Sequence, residues 1–376
     1  MASRSGFKFD VVENLAEQLR RAYPELRAIE AAATEPVYVV GGAVRDLLLG
    51  RDRADLDLVV EGDAAGLATR LGAEPVAHER FGTAKVEIEG HELDIASARS
   101  EAYPHPGALP EVTVPARIEA DLGRRDFTVN AMAIPLGADV RLIDPYGGEA
   151  DLEPGLLRVL HERSFVDDPT RAIRAARYAA RFGFDLEPET ERLLRAADLE
   201  TVSADRREAE LLRLADEATA TEAYRLLGDW GVVALRDGGV ELARRVGELS
   251  ELSLWGSRVQ RAQAVHAAAT GSPGREVTLS SARPERPSEA AAMARACSPV
   301  ELVLARASGA VWLDDYLEKW SEVALEIDGD DLIAAGVAEG PAVGRGLAEA
   351  RRQKLDGEIA GREQELAAAL AAARTG

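Results

Sequence analysis

The β-rich apolar runs of this chain fade near Asp151, and that change limits the fold more than any single motif does. Upstream, short β-rich runs recur between turn signals. They are Val37-Tyr38-Val39-Val40 running into Gly41-Gly42, Asp55 to Val60, and Thr83 to Ile88 with Glu92 to Ile95 as a hairpin around Glu89-Gly90. Phe127 to Ile134 and Val140 to Ile143 complete the set. Helical spacing predicts an opening helix over Glu13 to Ala33 and another over Ala43 to Leu49. Beyond Asp151, Ala- and Leu-rich helical periodicity continues to the end. It covers Pro169 to about Leu227, a run to about Ala324 with a polar loop at Gly271 to Glu289, and a last unit from near Asp328 that closes in a helix over Glu363 to Ala373. Strands first and helices afterwards predict an α+β fold, a head followed by a helical remainder. No fixed-period repeat is present.

At 376 residues, two or more packed units are expected. The single cysteine, Cys297, excludes an internal disulfide framework and a cysteine-based zinc site, and suits a reducing compartment. Met1 to Asp10 carries no apolar signal-peptide core, and no run approaches the length of a membrane span, so the chain reads as cytoplasmic with no membrane partner. The formal net charge of −21 runs against phosphate binding, which needs Lys and Arg. Arginines are nevertheless dense between Arg158 and Arg213, and local potential decides binding, so a basic groove in an acidic shell is the expectation.

Three segments carry chemistry. In the first, a strand feeds Gly41-Gly42 and a helix, so backbone N–H groups can approach a triphosphate, and Arg45 can add a charge-assisted fork. Asp55 and Asp57, two apart on a strand, share a face and can hold Mg²⁺, which takes phosphate and water oxygens for the rest of its shell. Asp94 is the candidate third carboxylate of a two-metal site, an exposed strand-end acid being the alternative. The second segment is Arg124-Arg125-Asp126-Phe127-Thr128-Val129-Asn130, where Asn130 on an apolar stretch must find partners, and a sugar hydroxyl or phosphate would suit it.

The third segment is Asp167-Asp168-Pro169-Thr170-Arg171-Ala172-Ile173-Arg174-Ala175-Ala176-Arg177. Asp168 before Pro169 is a good N-cap, and Arg171, Arg174 and Arg177 follow along one broad helix face. A capped, salt-bridged basic face is the bland reading. The sharper one is base selection. Adenine and cytosine present a ring-nitrogen acceptor beside an amino donor, whereas guanine and uracil present a ring N–H beside a carbonyl. A carboxylate and an arginine one turn apart, Asp168 and Arg171, would accept the first pair and reject the second.

In their order and spacing, GGAVRDLLLG with DLDLVV, DLGRRDFTVNAMAI, IDPYGG and DDPTRAIRAARYAARFGF resemble the class II tRNA nucleotidyltransferase and poly(A) polymerase family. The likeness is close over about Val37 to Phe184, and Val202-Ser203-Ala204-Asp205-Arg206 through Glu210-Leu211 resembles a later neck-helix motif of that family, with Asp205 where a glutamate is usual. The resemblance implies a polymerase-beta-like nucleotidyltransferase head over residues 1–150, then an all-helical neck (151–227), body (228–325) and tail (326–376), with tRNA held along the helical parts. It implies two Mg²⁺ ions at Asp55 and Asp57, nucleotide contacts from Gly41, Gly42, Arg45, Arg124, Arg125, Asp126 and Asn130, and base selection by Asp168 and Arg171. Arg174 and Arg177 would contact phosphates or brace that pair.

ATP or CTP would be the donor and the tRNA 3′ end the acceptor. Members of the family add CCA, CC, a terminal A, or poly(A). The segment Arg99 to Pro110, with its Pro-Gly-Ala-Leu-Pro form, resembles A-adding members and favours A addition. A bacterial poly(A) polymerase, which a long basic C-terminal extension would favour, and a catalytically inactive RNA-binding relative are the competing expectations. Gly340-Pro341 and Lys354-Leu355-Asp356-Gly357 resemble a tail in which a helix N-terminus meets an RNA phosphate. No histidine is followed by aspartate, so a His-Asp phosphohydrolase domain is not expected.

Overall fold

The structure is a computed structural model that describes residues 15–51, 55–72, 83–88 and 90–374. Two compact units make up the chain. The first runs to Leu211 and includes Leu226–Val232; the second comprises Leu212–Arg225 and everything from Val233 onward.

The first unit is built on a five-stranded mixed sheet of β1 (Val37–Val40), β2 (Asp57–Val60), β3 (Thr83–Ile88), β4 (His91–Ser97) and β7 (Ala133–Pro135), in the order β3-β4-β2-β1-β7. β2 and β4 are parallel; the other neighbours are antiparallel. A separate hairpin pairs β5 (Ser100–Ala102) with β6 (Glu111–Thr113). Period-two alternation decides which residues face which core. Val37, Val39, Leu58 and Val60 enter the larger apolar cluster, whereas Tyr38, Val40 and Val59 face a smaller one with Ile118 and Leu122. Burial on both faces explains why these strands read as unbroken apolar runs.

Several sequence expectations change here. The helix expected from Glu13, which lies outside the described residues, to Ala33 is two helices, Leu15–Ala22 and Leu26–Ala32. Pro24 lies at the break and has no amide to continue the first helix. Phe127 to Ile134 is not one strand. Thr128–Asn130 forms a 3₁₀ turn, held by the buried bond from Thr128 Oγ1 to Asp151, and only Ala133–Pro135 is extended. Val140 to Ile143 contributes an isolated bridge, Ala133 to Ile143. The expected strand from Asp55 begins at Asp57. The helical neck contains one two-stranded piece, Leu156–Leu157 paired with Asp185–Leu186.

The second unit is helical. The polar stretch expected as a loop contains a helix, Arg275–Ser281, because Glu276 accepts from the Gly274 amide at 2.9 Å, pairs with Arg236 at 3.3 Å and is buried together with Leu279. Near the end, Asp328 and Asp331 form a capping box on Gly329–Ala334. Helices Pro341–Leu355 and Gly361–Arg374 pack around Leu332, Ala350 and Ala369. Gly346 permits their approach, since a Cβ there would lie 2.6 Å from the Ala369 carbonyl. Among the described residues no helix is long and apolar enough to cross a membrane.

Glu365 is fully buried in this pair, accepting from the Glu326 amide at 2.6 Å and from Lys354 at 2.5 Å. Removing it strands both donors. Glu365→Ala is expected to lower stability by about 2 kcal/mol and to depress the thermal midpoint measured by circular dichroism, with Glu365→Gln losing less.

Candidate active site

The acidic side of the site is an edge of the head sheet. Asp57 opens β2 and is aligned with Asp94 of parallel β4, so both side chains project from the same face. Asp55 lies on the irregular approach to β2, and all three residues are exposed. Although Asp57 reaches solvent, the protein packed around its carboxyl pushes it above the ordinary range, Arg125 pulls it down, and the like charges of Asp94 and then Asp55 raise it again. Lys85 approaches Asp94 at 3.8 Å. Among the described residues no three acidic, His or Cys side chains close into a cage. Asp57 and Asp94, side by side on an open edge, could give carboxylate oxygens to a hard divalent ion that takes most of its ligands from substrate and water.

Next to the acids lies the glycine turn. Gly41 holds φ +67°, which glycine adopts without strain, and its amide donates to Met132 O at 3.2 Å. A Cβ on Gly41 would sit 2.6 Å from Arg125 Nη1, and one on Gly42 would sit 3.5 Å from Arg45 Nη2. Two guanidinium groups thus flank the turn. Arg125 donates to Asp121 at 3.1 Å and to Asn130 O at 3.4 Å, while its Nε is buried with no partner. A cation between the turn and Asp57, with an orphaned buried donor, is a place where an anion would be stabilised.

Arg45, expected to offer a fork to a phosphate, makes its contacts inside the protein. It is buried, donates Nε to Asp46 and Nη1 to Asn130 Oδ1 at 2.6 Å, and stacks over Phe182 with 4.2 Å to the ring centroid. Asn130 likewise finds its partners inside the protein, donating Nδ2 to Asp126 Oδ1 at 3.0 Å. Asp126 also takes the Phe127 amide at 2.8 Å and, on its other oxygen, Arg174 at 2.6 Å. Burial alone would raise this carboxyl; Arg174, Asn130 and Arg171 together hold it down at about 2. Arg174 further donates to the Tyr178 hydroxyl at 3.2 Å, and Arg177 faces Glu210 at 3.7 Å.

Arg124 joins this assembly to the third segment. Its guanidinium pairs with Asp121 at 2.8 Å and Glu101 at 3.2 Å, and its backbone carbonyl accepts from Arg171 Nη2 at 2.7 Å. Arg171 is buried and also donates to Ser164 Oγ at 2.6 Å. Asp168 caps the turn that leads into helix Arg171–Phe182. Its Oδ1 accepts from the Thr170 amide at 3.1 Å and hydroxyl at 2.6 Å, and from Arg206 at 3.2 Å. The regular helix therefore begins three residues after the expected N-cap. Tyr103 lies within the fields of Arg171 and Asp168, and burial pushes its hydroxyl up to about 12.

Sequence reasoning missed Asp121, although its spacing three and four residues before Arg124 and Arg125 is a readable signal. Burial raises its carboxyl, yet the two arginines bring it below the ordinary range. Glu101 and Tyr103 were passed over inside the 99–110 segment. The basic groove expected from Arg158 to Arg213 is largely neutralised. Arg158 pairs with Asp151, Arg163 with Asp167, Arg192 with Glu189, Arg195 with Glu191 and Arg207 with Glu200.

Because the folded carboxyl of Asp126 lies below its unfolded value of 3.8, its stabilisation is complete above that value and is lost as pH falls through about 2. Asp126→Asn should lower stability at neutral pH by about 2 kcal/mol. It should also flatten the acid limb of the stability curve, measured by urea unfolding from about pH 5 to about pH 2.

Against known proteins, the Poly A polymerase head domain matches residues 37–158. The chain is 43% identical over 206 residues to the A-adding tRNA nucleotidyltransferase of Halalkalibacterium halodurans, covering 51% of this chain and 48% of that protein. It thus spans about half the length of that relative. It is 37% identical over 341 residues to the CC-adding tRNA nucleotidyltransferase of Deinococcus radiodurans, covering 87% of each. Among solved structures, the Thermotoga maritima CCA-adding enzyme complexed with tRNA superimposes with a TM-score of 0.68 at 30% identity, over 96% of this chain and 97% of that one. A match of this identity along most of both sequences fixes the relationship: the chain belongs to the class II tRNA nucleotidyltransferase and poly(A) polymerase family.

Proposed function

We propose that this protein transfers nucleoside monophosphate from ATP or CTP to the 3′-hydroxyl of tRNA without a nucleic-acid template, and that the terminal A is what it adds. One observation carries the reading: a bonded chain of polar groups runs from Arg125, which lies against the glycine turn and in the field of Asp57, through Asp121 and Arg124 to Arg171 of the base-reading pair. Chemistry and base choice are then held in fixed register.

Asp55 and Asp57, with Asp94 beside them, would hold Mg²⁺, which when bound offsets triphosphate charge and favours ionisation of the attacking hydroxyl. Arg125, whose Nη1 lies against the turn, and the backbone of Gly41 and Gly42 receive the phosphates. Arg45, Asp126, Asn130 and Arg174 act by holding that wall in place. Asp168 accepts from the exocyclic amino group of adenine or cytosine. Arg171 donates to the ring nitrogen, because its two bonds to Ser164 and Arg124 occupy two of five N–H donors. The form of the 99–110 segment and the A-adding relative support A addition; the relative matched along most of its length is CC-adding and supports CC addition as the second reading.

Purified protein with Mg²⁺ and labelled ATP or CTP, given tRNA transcripts ending before CCA, after C and after CC, separates these readings. Label from ATP on the CC-ending transcript alone is the expected result. Label from CTP on the shorter transcripts gives CC addition, sustained extension of unrelated RNA gives a poly(A) polymerase, and no label at all refutes the enzyme. Asp55→Ala and Asp57→Ala should each reduce incorporation by at least about a thousandfold. Gly41→Ala, whose methyl would collide with Arg125, should raise the KM for nucleotide more than it lowers kcat.

A further inference from the structure

We infer that Arg206 is a positioning residue for base selection, fixing Asp168 by one oxygen and the 99–110 segment by its backbone. The inference rests on the base-reading role proposed above for Asp168. Arg206 lies on the helix Ala204–Asp216, far in sequence from both of its partners. Its Nη2 donates to Asp168 Oδ1 at 3.2 Å, while Nη1 donates to the Gly107 carbonyl at 2.9 Å and approaches that of Ala108 at 3.5 Å.

The division of labour on Asp168 follows from counting donors. Oδ1 receives three, two from Thr170 and one from Arg206, which uses up its acceptor capacity. Among the described residues, Oδ2 accepts none of the hydrogen bonds found. The Thr170 donors come from the same side of the chain and leave the carboxylate free to turn; Arg206 approaches from another helix and sets its plane. Oδ2 is thereby aimed and left available for an exocyclic amino group.

The contact with Gly107 is equally constrained. Gly107 has φ +68°, its amide donates to Val166 O at 3.1 Å, and a Cβ there would sit 2.4 Å from the Thr201 carbonyl. The segment is seated where only glycine fits, and Arg206 closes over its carbonyl. Leu109, two residues on, is 71% exposed. One planar fork with two separate nitrogens spans both partners, whereas a lysine ammonium is a single point and satisfies one of them.

The test uses the full chain and Arg206→Met, Arg206→Lys and wild type. The first readout is the ratio of kcat/KM for ATP to that for GTP on a CC-ending tRNA transcript; the second is the rate of elastase cleavage after Ala108, on the bond to exposed Leu109. Arg206→Met should lower the ratio at least about tenfold and speed cleavage several-fold, with Arg206→Lys recovering one of the two effects. A merely structural role would reduce use of both nucleotides alike, so an unchanged ratio in Arg206→Met overturns the inference, as does unchanged cleavage. Should wild type incorporate nothing, the proposed function falls. Arg206 is then judged by the ratio of ATP to GTP affinity in equilibrium titration, which Arg206→Met should reduce and which overturns the inference if it does not move.

Discussion

The carboxylate of Asp126 is almost wholly out of water, so it has to be paired inside the protein, and each of its partners fixes a different element. The Phe127 amide and Asn130 secure the 3₁₀ turn that precedes β7, and Arg174 secures the long helix that follows the head. Through Asn130 the constraint reaches Arg45, and so the helix that begins at the glycine turn. Breaking such a network at one member leaves the others charged and unpaired, so its members stand or fall together. The glycine turn and the helix Arg171–Phe182 are held by the same buried charge.

Much of the head was legible because its signals are local. Four consecutive β-rich residues before two glycines gave β1 and its turn, and two-residue spacing gave Asp57 its direction. Other features depended on partners remote in sequence. The helix Arg275–Ser281 lies in a Pro-, Ser- and Gly-rich stretch that reads as loop, and it forms because Glu276 finds Arg236 forty positions away. Arg45 and Asn130 were read as substrate contacts because each is a polar group beside a functional motif; that they bind one another, 85 positions apart, is a tertiary fact. Pro24 was a readable break, and helical spacing on both sides masked it.

Charge shows the same limit. Arginine density alone predicts a basic groove, yet most of those arginines have a carboxylate within one helical turn or on the adjoining element, and exposed pairs of this kind contribute little to a long-range field. What sets Arg125 apart is incomplete satisfaction right beside the glycine turn. It has Asp121 on one side and a buried Nε without a partner on the other. In a chain of net charge −21, local geometry of this kind, rather than overall charge, would supply the attraction for a phosphate under the proposed function.

The link between the proposed catalytic edge and the proposed base-reading pair passes through a backbone atom, the carbonyl of Arg124, which accepts from Arg171. A backbone acceptor is indifferent to the side chain at its own position, so this joint tolerates substitution at residue 124 better than the Asp121 contacts do. It follows that the base-reading pair cannot be retuned by sliding it relative to the head, since its arginine is tied to main chain. The adjustable part is the other member. Asp168 is held by side-chain and turn contacts to Thr170 and Arg206, and Arg206 in turn grips the 99–110 segment. Differences in nucleotide choice among chains of this architecture are therefore expected to reside in that segment and its grip on the helix rather than in the Asp and Arg themselves.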